Sequence, residues 1–147
     1  MTGIVVPAEV QYTATVRVSG GRGGAAESLT GTLRVDLTRP AQRGPDAPGT
    51  DPEELFAAGY AACFDSALAV AARQEGVRTG PTSVTASVSL GPTDDGRYAI
   101  AVALAVAAPD CPQTDLDRAV AAADRLCPYS NALRGNTAVT IRADGRP

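Results

Sequence analysis

The chain contains no histidine, which removes Ser/His/Asp triads, Cys/His dyads and histidine-bound zinc in one stroke. It contains no lysine either, because all 13 basic residues are arginine. Schiff-base chemistry and a P-loop are therefore excluded, and charged recognition must use the guanidinium fork, which stays protonated and binds oxygen anions bidentately. General acid or base work falls to Asp, Glu, Tyr or an arginine-supported group. A basic excess is also missing: the formal net charge is -3, so neither nucleic acid nor an anionic membrane surface is an expected partner. Residues 1–10 lack the basic region, apolar core and cleavage pattern of a leader, and no uninterrupted apolar stretch reads as long enough to span a bilayer. The expected location is the cytoplasm. Cysteine is scarce and odd in number, three in all, and in a reducing compartment such thiols are reactive or simply buried rather than part of a disulfide framework.

What is present is enough for a single domain spanning residues 1–147. At this length a chain buries about 70% of its unfolded surface, and 44% of the residues are hydrophobic. Val10, Tyr12, Ala14, Val16 and Val18 alternate with polar residues, which predicts a half-buried strand. Ser19 to Gly24 reads as a hairpin, and Leu29, Gly31, Leu33, Val35 and Leu37 as the returning strand. The segment from Arg39 to Gly49 is rich in Pro and Gly and reads as an irregular surface loop. It ends at Asp51, which suits an N-cap, followed by Pro52 at the first helical position and Glu54 to close a capping box. The helix that follows runs to a stop at Gly76 and is apolar on nearly every side in its first half, as a buried central helix is. Val84 to Leu90 and Tyr98 to Val106 form a second hairpin turning at Pro92 to Gly96. Thr114 reads as the cap of a second helix, with Asp115 and Asp117 in its first turn and Arg125 in its last. That helix closes at Cys127, before Pro128. A final strand covers Thr137 to Arg142. The order of elements predicts an α+β fold with a largely antiparallel sheet.

Two of the cysteines sit in unlike settings. Cys63 lies midway along the apolar helix and, taken alone, is a small hydrophobe in a packed core. It is about three turns from the helix start, beyond the reach of the dipole, so a lowered thiol pKa there needs a nearby arginine. Cys127 lies at the carboxyl end of its helix, where the dipole disfavours an anion, and suits a resolving thiol better than an attacking one. Cys111, between Pro109 and Pro112, reads as an incidental loop residue. Asp65 is turned away from Cys63 by the helical step of two residues and receives no role.

The segments TDPEELFAAGYAACF around Cys63 and CPYSNALRGN around Cys127 resemble the two signature segments of the organic hydroperoxide resistance proteins, the Ohr branch of the OsmC/Ohr family. YTATVRVSGGRGG near the start extends the resemblance over nearly the whole chain, with Leu133 standing where Thr is usual. The resemblance implies sheets packed around a central helix in an intertwined homodimer. It implies reduction of organic hydroperoxides to alcohols, with Cys63 the peroxidatic and Cys127 the resolving cysteine. No bound cofactor or metal is implied; a lipoyl-type dithiol, on a lipoylated protein or as dihydrolipoamide, recycles the enzyme. Arg22 falls on the family's arginine in the Gly-Gly-Arg turn and Glu53 on its glutamate after Asp-Pro. By this pattern Arg22 stabilises the thiolate and the peroxide oxygens, and Glu53 holds the guanidinium. Leu55, Phe56 and Tyr60 are candidates for an apolar surround that favours alkyl or fatty-acid hydroperoxides. Roles for Arg134 and Asn136 stay open between function and turn geometry.

Two other readings compete: an OsmC-type peroxidase with a different substrate range, and a redox sensor or apolar-ligand binding module whose dithiol reports oxidation without turnover. Assembly follows from spacing. Glu53 and Cys63 are ten residues apart on one helix, about 15 Å along its axis at 1.5 Å per residue. A straight helix keeps them apart, so the helix is broken, a long arginine bridges the gap, or Glu53 serves the Cys63 site of a second subunit; the small-residue helix, apolar all round, favours the last, an obligate homodimer with composite sites.

Overall fold

The computed structural model describes residues 3–45 and 48–147; Asp46 and Ala47 of the Pro/Gly-rich segment and the first two residues lie outside the described residues. The chain divides into two compact units, Val6–Leu55 and one that runs from Phe56 to Pro147.

In the first unit, three short strands form an antiparallel sheet, β1 (Val16–Ser19), β2 (Ala25–Ser28) and β3 (Arg34–Asp36). The strand expected over Val10 to Val18 is therefore only its last part. Residues 10–15 carry the alternating pattern but lie outside the sheet's paired strands, only Thr15 continuing the ladder by accepting from the Leu29 N–H at 3.0 Å, and Val10 and Tyr12 remain 70% and 81% exposed. Strand β2 was not expected, since its sequence AAES has no alternating apolar face. Leu29 and Gly31 lie in the turn before β3 rather than on a strand, Gly31 taking a φ of 75° and its N–H donating to the Ser28 carbonyl at 2.9 Å. The expected hairpin tip is a single 3-10 turn, Gly21–Gly23. It closes so tightly that a Cβ on Gly24 would lie 1.7 Å from the Ser19 carbonyl oxygen, a distance only glycine satisfies.

Helix α1 (Pro52–Glu75) is continuous through 24 residues. Asp51 caps it as expected, its Oδ1 accepting from the Glu54 N–H at 2.8 Å. The capping box is open, because the Glu54 carboxylate turns to the Thr50 hydroxyl at 2.6 Å and to Arg43 at 2.7 Å. At the other end Gly76, with φ 67°, releases the helix, and the Val77 N–H bonds back to the Ala72 carbonyl at 2.8 Å. One face of α1 is buried, carrying Tyr60, Phe64, Leu68, Ala71 and Ala72, while Ala58, Ala62, Ala69 and Val70 are exposed. With a mean hydropathy of 1.6 over its most apolar stretch, α1 is long and apolar enough to cross a membrane by length and composition, which corrects the expectation that no stretch would be. The burial of Phe64 and Leu68, exposed by no more than 1%, is that of a core helix.

The second unit sets α1 in a core with a three-stranded sheet of order β4 (Ser83–Pro92), β5 (Tyr98–Pro112), β6 (Ala138–Arg146). Strands β4 and β5 form the expected hairpin, with Val88 opposite Val102. Strands β5 and β6 run parallel, with Leu104 opposite Ile141; the β1–β2, β2–β3 and β4–β5 pairings are antiparallel, so the strands are largely antiparallel as expected, with one parallel edge. A parallel neighbour needs a crossover, and helices α2 (Gln113–Leu126) and α3 (Pro128–Leu133) provide it. Val102, Leu104, Val106 and Ala108 of β5 face the core with Leu116, Ala119 and Ala123 of α2. Helix α2 begins one residue before Thr114 and has Pro112 at its N-cap, with no side-chain cap. Thr114 is thus inside the helix. Cys111 is fully buried at the end of β5 rather than in an exposed loop.

Candidate active site

Cys63 occupies the middle of α1 and is half-buried. Cys127 is fully buried and is the only residue between α2 and α3, serving as C-cap of the first and N-cap of the second. Its backbone is extended, φ -65° and ψ 120°, its N–H donates to the Ala123 carbonyl at 2.9 Å and its carbonyl accepts from the Asn131 N–H at 3.0 Å. The expectation from sequence placed Cys127 at a helix C-terminus alone. In the structure the start of α3 faces it as well, so the two dipoles oppose each other there. Pro128 at the first position of α3 was the signal for this short helix, by the rule that proline favours that position.

The fold brings Cys63 and Cys127 together as free thiols. Burial pushes the Cys63 thiol above the ordinary thiol range. The Cys127 side chain, as a neighbouring charge and a hydrogen-bond partner, pushes the same way, and the Tyr129 backbone N–H acts in the opposite sense. That amide belongs to the first turn of α3 and was not anticipated from the sequence.

Arg22 and Glu53 are joined in the Val6–Leu55 unit. The 3-10 turn presents Arg22, and its Nη1 donates to Glu53 Oε2 at 2.8 Å while its Nη2 donates to Oε1 at 2.7 Å. The hydrogen bond from Arg22 holds the Glu53 carboxyl below the usual carboxylate range, against the opposing effect of burial. Glu53 is the more buried partner, its side chain 16% exposed against 41% for Arg22. A second arginine, Arg43, ties the loop before α1 to Asp51 and Glu54, so Asp51, Glu53 and Glu54 at the start of α1 are each held by arginine.

Around the sulfurs, the rings of Phe56, Tyr60 and Tyr129 form a cluster in which Tyr60 stacks on Tyr129 at 5.6 Å between centroids. Tyr60 is fully buried and lines a cavity with Ser130 and Arg134. Its hydroxyl shares a 2.7 Å hydrogen bond with that of Ser130. Asp65 accepts a hydrogen bond from Thr82 at 2.6 Å. Arg134 bridges α3 and α2, donating to Asn131 Oδ1 at 2.6 Å and to the Asp124 carbonyl at 2.8 Å. Asn136 closes the turn after α3 through its backbone N–H to the Leu133 carbonyl at 3.0 Å.

An α+β fold that gathers two free thiols at the middle of one long helix and the joint between two others defines a dithiol protein. The comparisons name the kind. The family model described as OsmC-like protein matches residues 44–142. An organic hydroperoxide resistance protein of Xanthomonas axonopodis pv. citri (strain 306) is 42% identical over 137 residues, 92% of this chain and 96% of that protein. The organic hydroperoxide resistance protein OhrA of Bacillus subtilis (strain 168) is 44% identical over 135 residues, covering 88% of this chain and 94% of its own. Among solved structures, an organic hydroperoxide resistance protein OsmC from Legionella pneumophila matches with a TM-score of 0.85 at 38% identity, over 92% of this chain and 99% of that one. The chain belongs to the OsmC/Ohr family, and these three relatives are organic hydroperoxide resistance proteins.

Proposed function

We propose that the protein is a thiol-dependent peroxidase that protects against organic hydroperoxides by reducing them to alcohols. The observation that carries this reading is the pairing of Cys63 and Cys127 as neighbouring free thiols in unlike settings, one half-exposed on α1 and the other buried at the α2–α3 joint. The Cys63 thiolate attacks the terminal peroxide oxygen, the O–O bond breaks, and the alkoxide leaves as the alcohol after taking a proton. The Cys63 sulfenic acid then condenses with the Cys127 thiol, releasing water and forming a disulfide. A dithiol of lipoyl type, free or on a lipoylated protein, reduces that disulfide by exchange. No bound cofactor or metal enters this cycle.

Burial and the Cys127 neighbour hold the Cys63 thiol up, so the attacking form needs a cation. Arg22 is that group in this proposal. The bidentate Glu53 pair fixes its guanidinium in advance, as stabilisation of developing charge requires. The partly buried Leu55 and Phe56 support a preference for alkyl and fatty-acid hydroperoxides. A reducing compartment, the cytoplasm, suits a dithiol cycle.

We further propose a homodimer. Helix α1 is unbroken from Pro52 to Glu75, which leaves a bridging arginine or a second subunit to join Glu53 to the sulfur chemistry. Exposed Ala58, Ala62, Ala69 and Val70 on α1, and exposed Tyr12, Val16, Val18 and Leu29 in the first unit, support association of two chains. The activity reading is tested by following hydroperoxide loss with dihydrolipoamide as donor. Consumption many-fold beyond the enzyme concentration is expected, and a single equivalent consumed per chain contradicts it.

A further inference from the structure

Cys127 does its work only if it meets the Cys63 sulfenic acid before a second hydroperoxide does. The sulfur bearing that acid sits on α1, while Cys127 is carried by the joint between α2 and α3, so something must hold α3 against α1. Three contacts do so, and all involve the residues that immediately follow Cys127. Tyr60, one helical turn before Cys63, and Ser130, in the first turn of α3, are both buried, 0% and 3% exposed, and their hydroxyls share the 2.7 Å hydrogen bond. The Tyr129 ring lies nearly parallel to that of Tyr60, 25° between planes, and Phe56 meets both edge-on. The Tyr129 hydroxyl sits over Gly59, where a Cβ would stand only 2.7 Å from the oxygen.

The opposite side of α3 is fixed to α2. The Asn131 side-chain amide donates to the Arg125 carbonyl at 3.2 Å, and Arg134 joins Asn131 to Asp124. Helix α3 is therefore pinned on both sides, and Cys127 lies at the joint the pins define. The pin to α1 is the more demanding, because a buried hydroxyl without its partner is costly, and each of these two hydroxyls is the other's partner.

We propose, building on the peroxidase reading, that Tyr60 and Ser130 are positioning residues for the resolving step: their buried hydrogen bond holds Cys127 and the Tyr129 amide against Cys63, so that the sulfenic acid closes to a disulfide rather than being oxidised again. The competing fate is balanced in the same terms. A second hydroperoxide transfers its terminal oxygen to the Cys63 sulfenic acid, giving the sulfinic acid and a second molecule of alcohol, and that rung is not recovered by thiols. Misplacing a reacting group by about 1 Å costs on the order of 100-fold in rate, so loss of the pin shifts the partition strongly.

The test uses the full-length reduced protein, the wild type beside Tyr60→Phe, Ser130→Ala and the double variant. Each is treated with graded excesses of cumene hydroperoxide and quenched for mass spectrometry of the Cys63 and Cys127 peptides. Each single variant is expected to raise the ratio of Cys63 sulfinic acid to Cys63–Cys127 disulfide by about tenfold or more, within the 100-fold bound of misplacement. The double variant is expected to be no worse than the singles, because it leaves no orphaned hydroxyl. Wild-type ratios in both single variants overturn the inference. So does an equal fall in the rates of sulfenic acid and disulfide formation, the mark of general damage. A wild type that consumes no hydroperoxide overturns the peroxidase reading itself, which separates the two failures.

Discussion

Arg22 and Glu53, distant in sequence, meet in a two-point pair whose N–O distances are 2.7 and 2.8 Å. A guanidinium held at two points is fixed in direction as well as position, and it needs no reorganisation when a negative charge develops beside it.

If that cation serves Cys63, its removal leaves the thiol with burial and the Cys127 neighbour, both of which favour the protonated form. Arg22→Ala is therefore expected to raise the apparent thiol pKa and to slow peroxide reduction near neutral pH by tenfold or more, since one pKa unit is about tenfold in thiolate below the titration. Thiolate absorbance against pH in the two proteins measures it. An unchanged titration would transfer the activating role to another arginine, Arg134 first.

The pair also has a pH signature. The Glu53 carboxyl is held below its ordinary value, so its contribution to stability is fully present above the unfolded value of about 4.3 and is lost as pH falls through the lower folded value. Glu53→Gln should abolish that acid-side loss and leave stability above about pH 5 with little pH dependence from this site. Denaturant unfolding between pH 3 and 7 tests this. An acid limb identical in the variant would show that other carboxylates cause it.

The sulfurs should behave unequally. Cys63→Ser is expected to abolish consumption of hydroperoxide, Cys127→Ser to react once and stop at sulfenic or sulfinic acid, and Cys111→Ser to change activity little. Cys111 is buried at the end of β5, its thiol directed to the Pro112 carbonyl at 3.6 Å. A Cys63–Cys111 disulfide as the main oxidised product would overturn the assignment.

Gly59 offers a test of packing. A methyl there would meet the Tyr129 hydroxyl at 2.7 Å, and the ring is confined by its stack on Tyr60. Gly59→Ala should therefore cost about 1–3 kcal/mol despite the better helix propensity of alanine. A melting curve at or above that of the wild type would show that the ring moves freely.

Composite sites predict complementation. Mixing Glu53→Ala with Cys63→Ser under conditions that exchange subunits should restore one working site per mixed dimer. A monomer in solution, or no recovery despite proven exchange, excludes the shared arrangement.

Much of this architecture was legible in the residues. The Asp51–Pro52 start and Gly76 stop bounded α1, the β4–β5 hairpin followed from alternation on both sides of Pro92 to Gly96, and the four candidate residues came from the family resemblance, Cys63, Cys127 and Glu53 from the two signature segments and Arg22 from the Gly-Gly-Arg turn. Four things escaped. The pattern over Val10 to Tyr12 gave no sign that a strand needs a partner as well as an apolar face, and within one chain these residues have none in the sheet. The AAES strand is defined by its pairing with β1 and β3, a relation between distant residues that local periodicity does not carry. The contact of Tyr60 with Ser130 spans 70 residues, and nothing local to either marks it. Parallel pairing of β5 and β6 was hidden for the same reason, although Pro128 after Cys127 hinted at the extra helix in the crossover.

The account rests on turnover at Cys63 and Cys127. Its most direct test is the loss of an organic hydroperoxide with time, with dihydrolipoamide supplied beside parallel reactions in glutathione and thioredoxin. Continuous consumption in dihydrolipoamide, faster than in either other donor and absent in Cys63→Ser, is the predicted result. Consumption that stops at one equivalent per chain in every donor would contradict it and leave a protein that reports oxidation instead.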